Sequence, residues 1–149
     1  MSETFSIYIV DETLLPTELI GLSDEEIFKE LVSAIENGGE LQTVIEMTED
    51  DFVDALESID AIVEGNRLLP NCAMNNSPHE ILDKLAQTPY LGFFSPAQAQ
   101  ELLFLFESLS EESTDIIESV ETHSEAFEAF RNAADSAVSM EYAIAVLHA

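Results

Sequence analysis

The chain has 149 residues, 46% of them hydrophobic, and its 31 acidic against 4 basic side chains give a formal net charge of -27. This length and apolar content predict a single folded domain over residues 1–149, because disordered acidic tails lack the aliphatic and aromatic residues that close a core. The basic residues are scattered singly, at Lys29, Arg67, Lys84 and Arg131, so we expect no direct binding to nucleic acid or to an anionic membrane.

The first predicted elements are a strand and a helix. Residues 4–10 combine β-branched and aromatic side chains with apolar residues at both alternating positions, which is typical of a strand buried on both faces. Ser23, followed three residues later by Glu26, forms the signature of a helix N-cap. We expect that helix to end at Gly38–Gly39, where glycine would adopt the left-handed conformation of a C-terminal cap.

A second strand and helix follow, and then a loop. Residues 41–47 could form a strand, and Thr48 would cap a helix whose first turn is acidic, which favours the helix dipole. The inner face of this helix would hold Phe52, Leu56 and Ile59. Residues 65–76 contain Pro70 and three Asn residues without a period, so they are predicted to form a loop and a boundary for any subdivision of the domain.

Two Ser-Pro pairs predict the starts of the next helices, at Ser77-Pro78 and Ser95-Pro96. The second of these helices carries an apolar run broad enough to predict that it is largely buried at the centre of the core; the run comprises Leu102, Leu103, Leu105, Phe106 and Leu109. The pattern then stays helical over residues 110–138, with a break expected near residues 122–124, and residues 141–148 close the chain as a strand.

These elements predict an α+β fold, with about five helices around a small sheet of three or so strands. The two terminal strands would pair at the centre of the sheet. Residues Met1–Phe5 contain neither a basic region nor a long apolar run, and no apolar stretch is long enough to span a membrane. With a single cysteine, Cys72, no intrachain disulfide can form, so we expect a cytoplasmic protein.

The sequence offers little catalytic chemistry. His79, His123 and His148 stand far apart, without a spacing that would place two metal ligands on one helical face. Cys72 has no basic neighbour in sequence that would lower its pKa. Neither a dinucleotide fingerprint nor a phosphate loop occurs, and the acidic residues do not form a calcium-binding loop. We therefore predict no cofactor and no metal, and we favour a protein that is not an enzyme.

One surface is patterned. Six acidic residues recur at steps of three and four and would form one stripe on a continuous helix: Glu111, Asp115, Glu118, Glu121, Glu125 and Glu128. The opposite, inner side would hold Ile116, Val120, Phe127, Phe130, Ala134 and Ala137. Like charges at these spacings repel, and no basic residue relieves the repulsion before Arg131. The six acidic residues are the predicted site for a basic partner protein.

Several interpretations of this acidity remain open. The stripe could present carboxylates as a nucleic acid presents phosphates, and so inhibit a nucleic-acid-binding protein, or it could bind a basic partner less specifically. It could also be a solvated helix face, with the charge serving solubility or salt tolerance alone. A different alternative is an enzyme or small-molecule binder whose site lies between the two halves, near residues 65–76; a deep polar pocket with a buried carboxylate would favour it.

The second half of the chain carries a resemblance to a known family. An aromatic segment, Pro89–Pro96, leads into a helix from Ala97 to Leu109, and a late helix with the run Ala126–Ala134 leads into a last strand over residues 141–147. In these features the last sixty or so residues resemble the YfbM-like family of bacterial proteins of unknown activity. The Trp and His of that family's central segment have no counterparts around residues 52–65. The resemblance implies a compact α+β bacterial cytoplasmic protein and carries over no catalytic residue.

Overall fold

The computed structural model describes residues 3–15, 21, 23–74 and 91–148. The elements in these ranges are, in chain order, β1 (Glu3–Val10), a short 3-10 turn (Glu12–Leu14), α1 (Asp24–Gly38), β2 (Glu40–Met47), α2 (Glu49–Val63), α3 (Leu68–Met74), β3 (Leu91–Phe94), α4 (Pro96–Glu107), α5 (Glu111–Glu118), α6 (Glu121–Met140) and β4 (Ala143–His148). The class is α+β, as predicted. The described residues contain four strands and six helices, where about three strands and five helices were expected. The helix predicted to begin at Ser77-Pro78 lies outside the described residues.

The four strands form one antiparallel sheet in the order β2-β1-β4-β3. The two terminal strands pair at its centre, as predicted, with Phe5 opposite His148 and Val10 opposite Ala143. The strand β3 was missed in the sequence, because its four residues are all buried and are too few to show an alternating pattern.

Helices cover both faces of this sheet. Phe5, Ile7 and Ile9 of β1 join the larger core with α2 to α6, whereas Val10 joins a smaller core with Leu31 of α1. Successive side chains of a strand point to opposite faces, so a strand covered on both sides is apolar at both alternating positions. This is the pattern that predicted β1 to be an interior strand.

The first helix begins as predicted and ends for a different reason. The Ser23 hydroxyl accepts a hydrogen bond from the Glu26 amide at 3.2 Å. Gly39, however, is extended at φ -91°, so the predicted left-handed cap is wrong. A Cβ on Gly39 would lie 2.6 Å from the Ile35 carbonyl oxygen, so glycine is needed there because the backbone approaches closely as the chain turns from α1 into β2.

The predicted loop over residues 65–76 contains a helix. Thr48 caps α2, whose inner face is buried as expected, and the short helix α3 then covers Leu68–Met74. The loop prediction was therefore wrong for this segment, while residues 75–76 lie outside the described residues. Pro70 is tolerated because it stands in the first turn of α3, where a backbone N–H has no helical acceptor. The packing of Leu69 and Cys72 into the core stabilises a helix that the Asn-rich sequence does not signal.

The centre of the core is α6, although α4 was predicted to fill that role. Ser95 and Gln98 form a complete capping box at the start of α4, as expected, and Leu102 and Phe106 are buried. Phe104 of the same helix is nevertheless 69% exposed, so only one side of α4 is covered. The helix α6 packs against β1, β2 and β4 and against α2, α4 and α5. Its Phe130 ring lies between those of Phe52 and Phe94, with centroids at 6.3 and 5.9 Å.

The helical region after residue 110 breaks earlier than predicted. It divides into α5 and α6 at Ser119–Val120, and Val120 is extended at φ -112°. The two buried residues Ile117 and Ala126 explain the break, because nine residues make about two and a half helical turns and would point them in opposite directions on a continuous helix. Ile116 and Val120, predicted to be inner residues, are 54% and 42% exposed.

Candidate functional site

The predicted acidic residues all lie at the surface. Glu111, Asp115, Glu118, Glu121, Glu125 and Glu128 are exposed, and none of them forms an ion pair within the part of the chain that the structure describes. Arg131, the nearest basic residue in sequence, has its guanidinium 6.0 Å from the centre of the Phe127 ring. Within the described residues, no Lys or Arg side chain therefore lies in ion-pair contact with these carboxylates.

The helix break divides this set into two groups. Glu111, Asp115 and Glu118 lie on α5, and Glu121, Glu125 and Glu128 lie on α6. The single stripe predicted for one continuous helix is therefore wrong, since Ser119 and Val120 separate the groups. We call these six exposed carboxylates together the acidic face.

Two of the six residues line a groove beside the sheet. Its walls are Gln42–Ile45 of β2 and the residues Glu125, Glu128, Ala129 and Asn132 of α6, and its volume is about 240 Å³. This volume is below the roughly 300–1,000 Å³ of pockets that enclose small ligands. We call this cavity the β2 groove.

A second groove continues from the first across α6. It has a volume of about 460 Å³ and lies between α4 and α6, lined by Leu103, Glu107, Glu128, Arg131, Asn132 and Asp135. Glu128 and Asn132 line both grooves, so the cavities meet at these side chains. Glu107, Asn132 and Asp135 were not predicted from the sequence. The positions of Asn132 and Asp135, four and seven residues after Glu128, would have shown that they share its helical face.

The region of residues 65–76, the alternative site, lies beside a buried carboxylate of α2 that binds its backbone. Asp60 is 8% exposed, and its Oδ2 accepts a hydrogen bond from the Arg67 amide at 2.8 Å. This bond holds a segment in which Glu64, Asn66 and Arg67 adopt positive φ angles, which are costly for residues with a Cβ. The carboxylate is therefore a structural anchor for the turn between α2 and α3.

A groove near this turn does not include the buried carboxylate. It has a volume of about 380 Å³ and is lined by Val53, Glu57, Arg67, Pro70, Asn71 and Met74. An ion pair in this groove joins Arg67 and Glu57 at 3.7 Å, and both side chains are more than half exposed, so the pair is screened by water. This groove is therefore not the deep polar pocket with a buried carboxylate that would favour an enzyme site.

The single thiol is poorly suited to catalysis. Cys72 is buried in α3, and burial, together with the nearby negative charge of Glu101, raises its pKa to about 11. At neutral pH this side chain is a thiol and not the nucleophilic thiolate.

Two histidines join elements of the fold. The His123 Nε2 atom lies 3.0 Å from the Asp54 carboxylate, which connects α6 to α2. The His148 Nε2 atom lies 3.0 Å from Glu3, and the ring stacks on Phe5 with a centroid distance of 4.5 Å. The third histidine, His79, lies outside the described residues. Within the described ranges, no group of three or more His, Cys, Asp or Glu side chains is placed to hold a metal ion.

Comparisons with known proteins add no relative. No family model, curated protein or solved structure matches the chain. The resemblance to the YfbM-like family therefore stays a prediction. Among the described helices, none has the length and apolar character needed to cross a membrane.

Proposed function

We propose that this protein acts by binding a basic partner protein through the acidic face of α5 and α6. The observation that carries the proposal is the exposure of all six predicted carboxylates without an ion-pair partner among the described residues. Two of these residues, Glu125 and Glu128, also line the β2 groove, so their charges lie in a concave part of the surface. A concave surface lined by one sign of charge concentrates partners of the opposite sign.

The class of partner that fits best is a nucleic-acid-binding protein. Such proteins present clustered Lys and Arg side chains to a row of phosphates, and a row of carboxylates can occupy the same groove. The row is divided at Ser119–Val120, so α5 and α6 would each present three of the six charges. The protein would then act as a nucleic-acid mimic that blocks its partner. We place this activity in the cytoplasm, since the only cysteine is a buried free thiol.

The experiment is an affinity capture with matched charge variants. The immobilised protein is mixed with a panel of basic nucleic-acid-binding proteins at about 0.05 M and about 0.5 M NaCl, because screening at the higher salt weakens contacts between exposed charges. The variant E121Q/E125Q/E128Q removes three charges from α6, and the control E25Q/E30Q/E36Q removes three from exposed positions on α1. We expect salt-sensitive capture that the α6 variant loses and the α1 control keeps.

Two outcomes would contradict the proposal. If no basic protein is captured at low salt, the charge serves solubility or salt tolerance alone. If the α1 control weakens capture as much as the α6 variant does, binding depends on the total charge of -27 and not on the acidic face.

A further inference from the structure

The strand β2 has one open edge in the described part of the chain. It lies at the end of the sheet order and pairs with β1 alone among the described strands. An edge strand presents unpaired N–H and C=O groups that can bond to an added strand. With eight residues, Glu40–Met47, this edge is long enough to pair with an extended peptide.

The β2 groove runs along this edge. Its wall includes four consecutive residues, Gln42–Ile45. Val44 points to the opposite face from Thr43 and Ile45, so a cavity that touches all three reaches the backbone of the strand, next to the β-bulge at Gln42. The other wall is α6, where Glu125 and Glu128 line the groove beside that backbone.

We propose that the β2 edge binds an extended basic segment of the partner as an added strand, with Lys or Arg side chains reaching Glu125 and Glu128. This inference rests on the proposed function and specifies how the partner binds. The main-chain bonds would supply affinity and the alternating side chains would supply specificity, as in other complexes formed by strand addition.

The two faces of β2 define the pattern of the segment. Ile45 faces α6, whereas Val44 points to the opposite face and is 42% exposed. The β-bulge at Gln42 returns Leu41, opposite Tyr8, to the face of Val44, and Leu41 is 51% exposed. A strand added beside β2 would place alternate side chains next to the carboxylates of α6 and the intervening ones next to Val44 and Leu41. The segment should therefore alternate basic and apolar residues.

Charge decides against a second copy of this chain as the occupant. Glu40 and Glu46 are exposed on β2 itself, so pairing two β2 edges would bring acidic side chains together at the interface. Two molecules that each carry a charge of -27 also repel one another at a distance. A basic segment is attracted by the same charges.

The test uses a short peptide that alternates Lys and Val, with blocked termini. Its control has equal charge but Pro in place of each Val, which removes backbone donors and prevents strand pairing. We expect saturable binding of the Lys-Val peptide, binding of the Pro peptide weaker by about tenfold or more, and slower amide exchange over Glu40–Met47 in the complex.

Matched charge variants test whether Glu125 and Glu128 bind the peptide. E125Q/E128Q should weaken binding of the Lys-Val peptide about tenfold, whereas E30Q/E36Q on α1 should leave it within about twofold. Equal binding of the two peptides, or unchanged amide exchange over β2, would overturn strand addition. The proposed function would still be supported if basic proteins bind in a salt-sensitive way. Failure of both peptides and of every basic protein at low salt would overturn the proposed function as well.

Discussion

At the scale of single residues, close packing decides which positions tolerate no side chain. Gly92 of β3 lies against α3, so that a Cβ at this position would be 2.1 Å from the Ala73 carbonyl oxygen. At Gly38 the nearest atom would be Leu14 Cδ1 at 3.6 Å, an ordinary contact. Both residues are glycine in the sequence, and only the fold distinguishes them.

We predict that Gly92→Ala lowers the free energy of unfolding by about 3 kcal/mol, the upper end of overpacking costs, because backbone atoms cannot move aside. Gly38→Ala should raise it by about 0.5 kcal/mol, since alanine favours the helix and meets no obstacle. Urea unfolding of both variants measures the difference. Equal stability of the two variants would show that the backbone of α3 does not lie close enough to Gly92 to exclude a Cβ.

The burial of Cys72 predicts slow labelling and a loss of stability in alkali. Its pKa of about 11 exceeds the reference value of 9.0, so the native thiolate fraction at pH 8 should be about a hundredfold lower than in the unfolded chain. A thiol reagent should label the native protein at least that much more slowly than the urea-unfolded protein. Rapid labelling of the native protein would mean that Cys72 is accessible and ionised.

The sign of the pH dependence follows from the same shift. Because the folded-state pKa is raised, the thiol's contribution to stability is complete below pH 9 and is lost as the pH rises towards 11. Cys72→Ala removes this titration, so its free energy of unfolding should decline less than that of the native sequence between these pH values. The same decline in both proteins would assign the alkaline loss to other groups.

At the scale of elements, the helix starts differ in how well their first amides are satisfied. The Ser95 hydroxyl accepts from the Gln98 amide at 3.2 Å, and the Gln98 side chain accepts from the Ser95 amide at 2.9 Å. The helix α6 starts at Val120, which makes no side-chain cap and is 42% exposed. The longest helix of the described chain therefore begins at an apolar residue that cannot cap it.

We expect opposite effects from substitutions at these two caps. Ser95→Ala should lower the free energy of unfolding by about 1 kcal/mol, because it leaves an amide of α4 without an acceptor. Val120→Ser should raise it by about 0.5–1 kcal/mol, because the new hydroxyl can accept from an amide in the first turn of α6. Chemical denaturation tests both. Loss of stability in Val120→Ser would show that the valine side chain contributes packing that outweighs a cap.

At the scale of the whole molecule, self-repulsion opposes folding. The chain has a net charge of -27 and only 4 basic residues. The described residues contain two ion pairs of Lys or Arg, Lys29 with Glu25 and Arg67 with Glu57. Both pairs are exposed and so contribute little. Screening by salt should therefore stabilise the native state.

We predict that the melting temperature rises by about 4 °C or more between about 0.1 M and about 1 M NaCl, where the screening length falls from about 10 to about 3 Å. The variant E111Q/D115N/E118Q, which removes three of the exposed charges of α5, should melt higher than the native sequence at low salt and gain less from added salt. A melting temperature that does not depend on salt would mean that repulsion among these carboxylates is already relieved.

The sequence by itself determined the features that depend on local chemistry. The caps at Ser23, Thr48 and Ser95 could be predicted because a hydroxyl and the amides three residues on are neighbours in sequence. The interior position of β1 followed from its apolar residues on both faces. The charge and its exposure on α5 and α6 followed from composition and from helical spacing.

Only the tertiary structure decided the rest, because those features depend on distant partners. The helix α3 forms where Asn and Pro predict a loop, since the core accepts Leu69 and Cys72. The break at Ser119–Val120 arises because Ile117 and Ala126 must both be buried. The β2 groove joins residues 42–45 to residues 125–132, which are eighty or more positions apart in the chain. Periodicity places a carboxylate on a helix face, but packing alone decides which strand edge lies beside it.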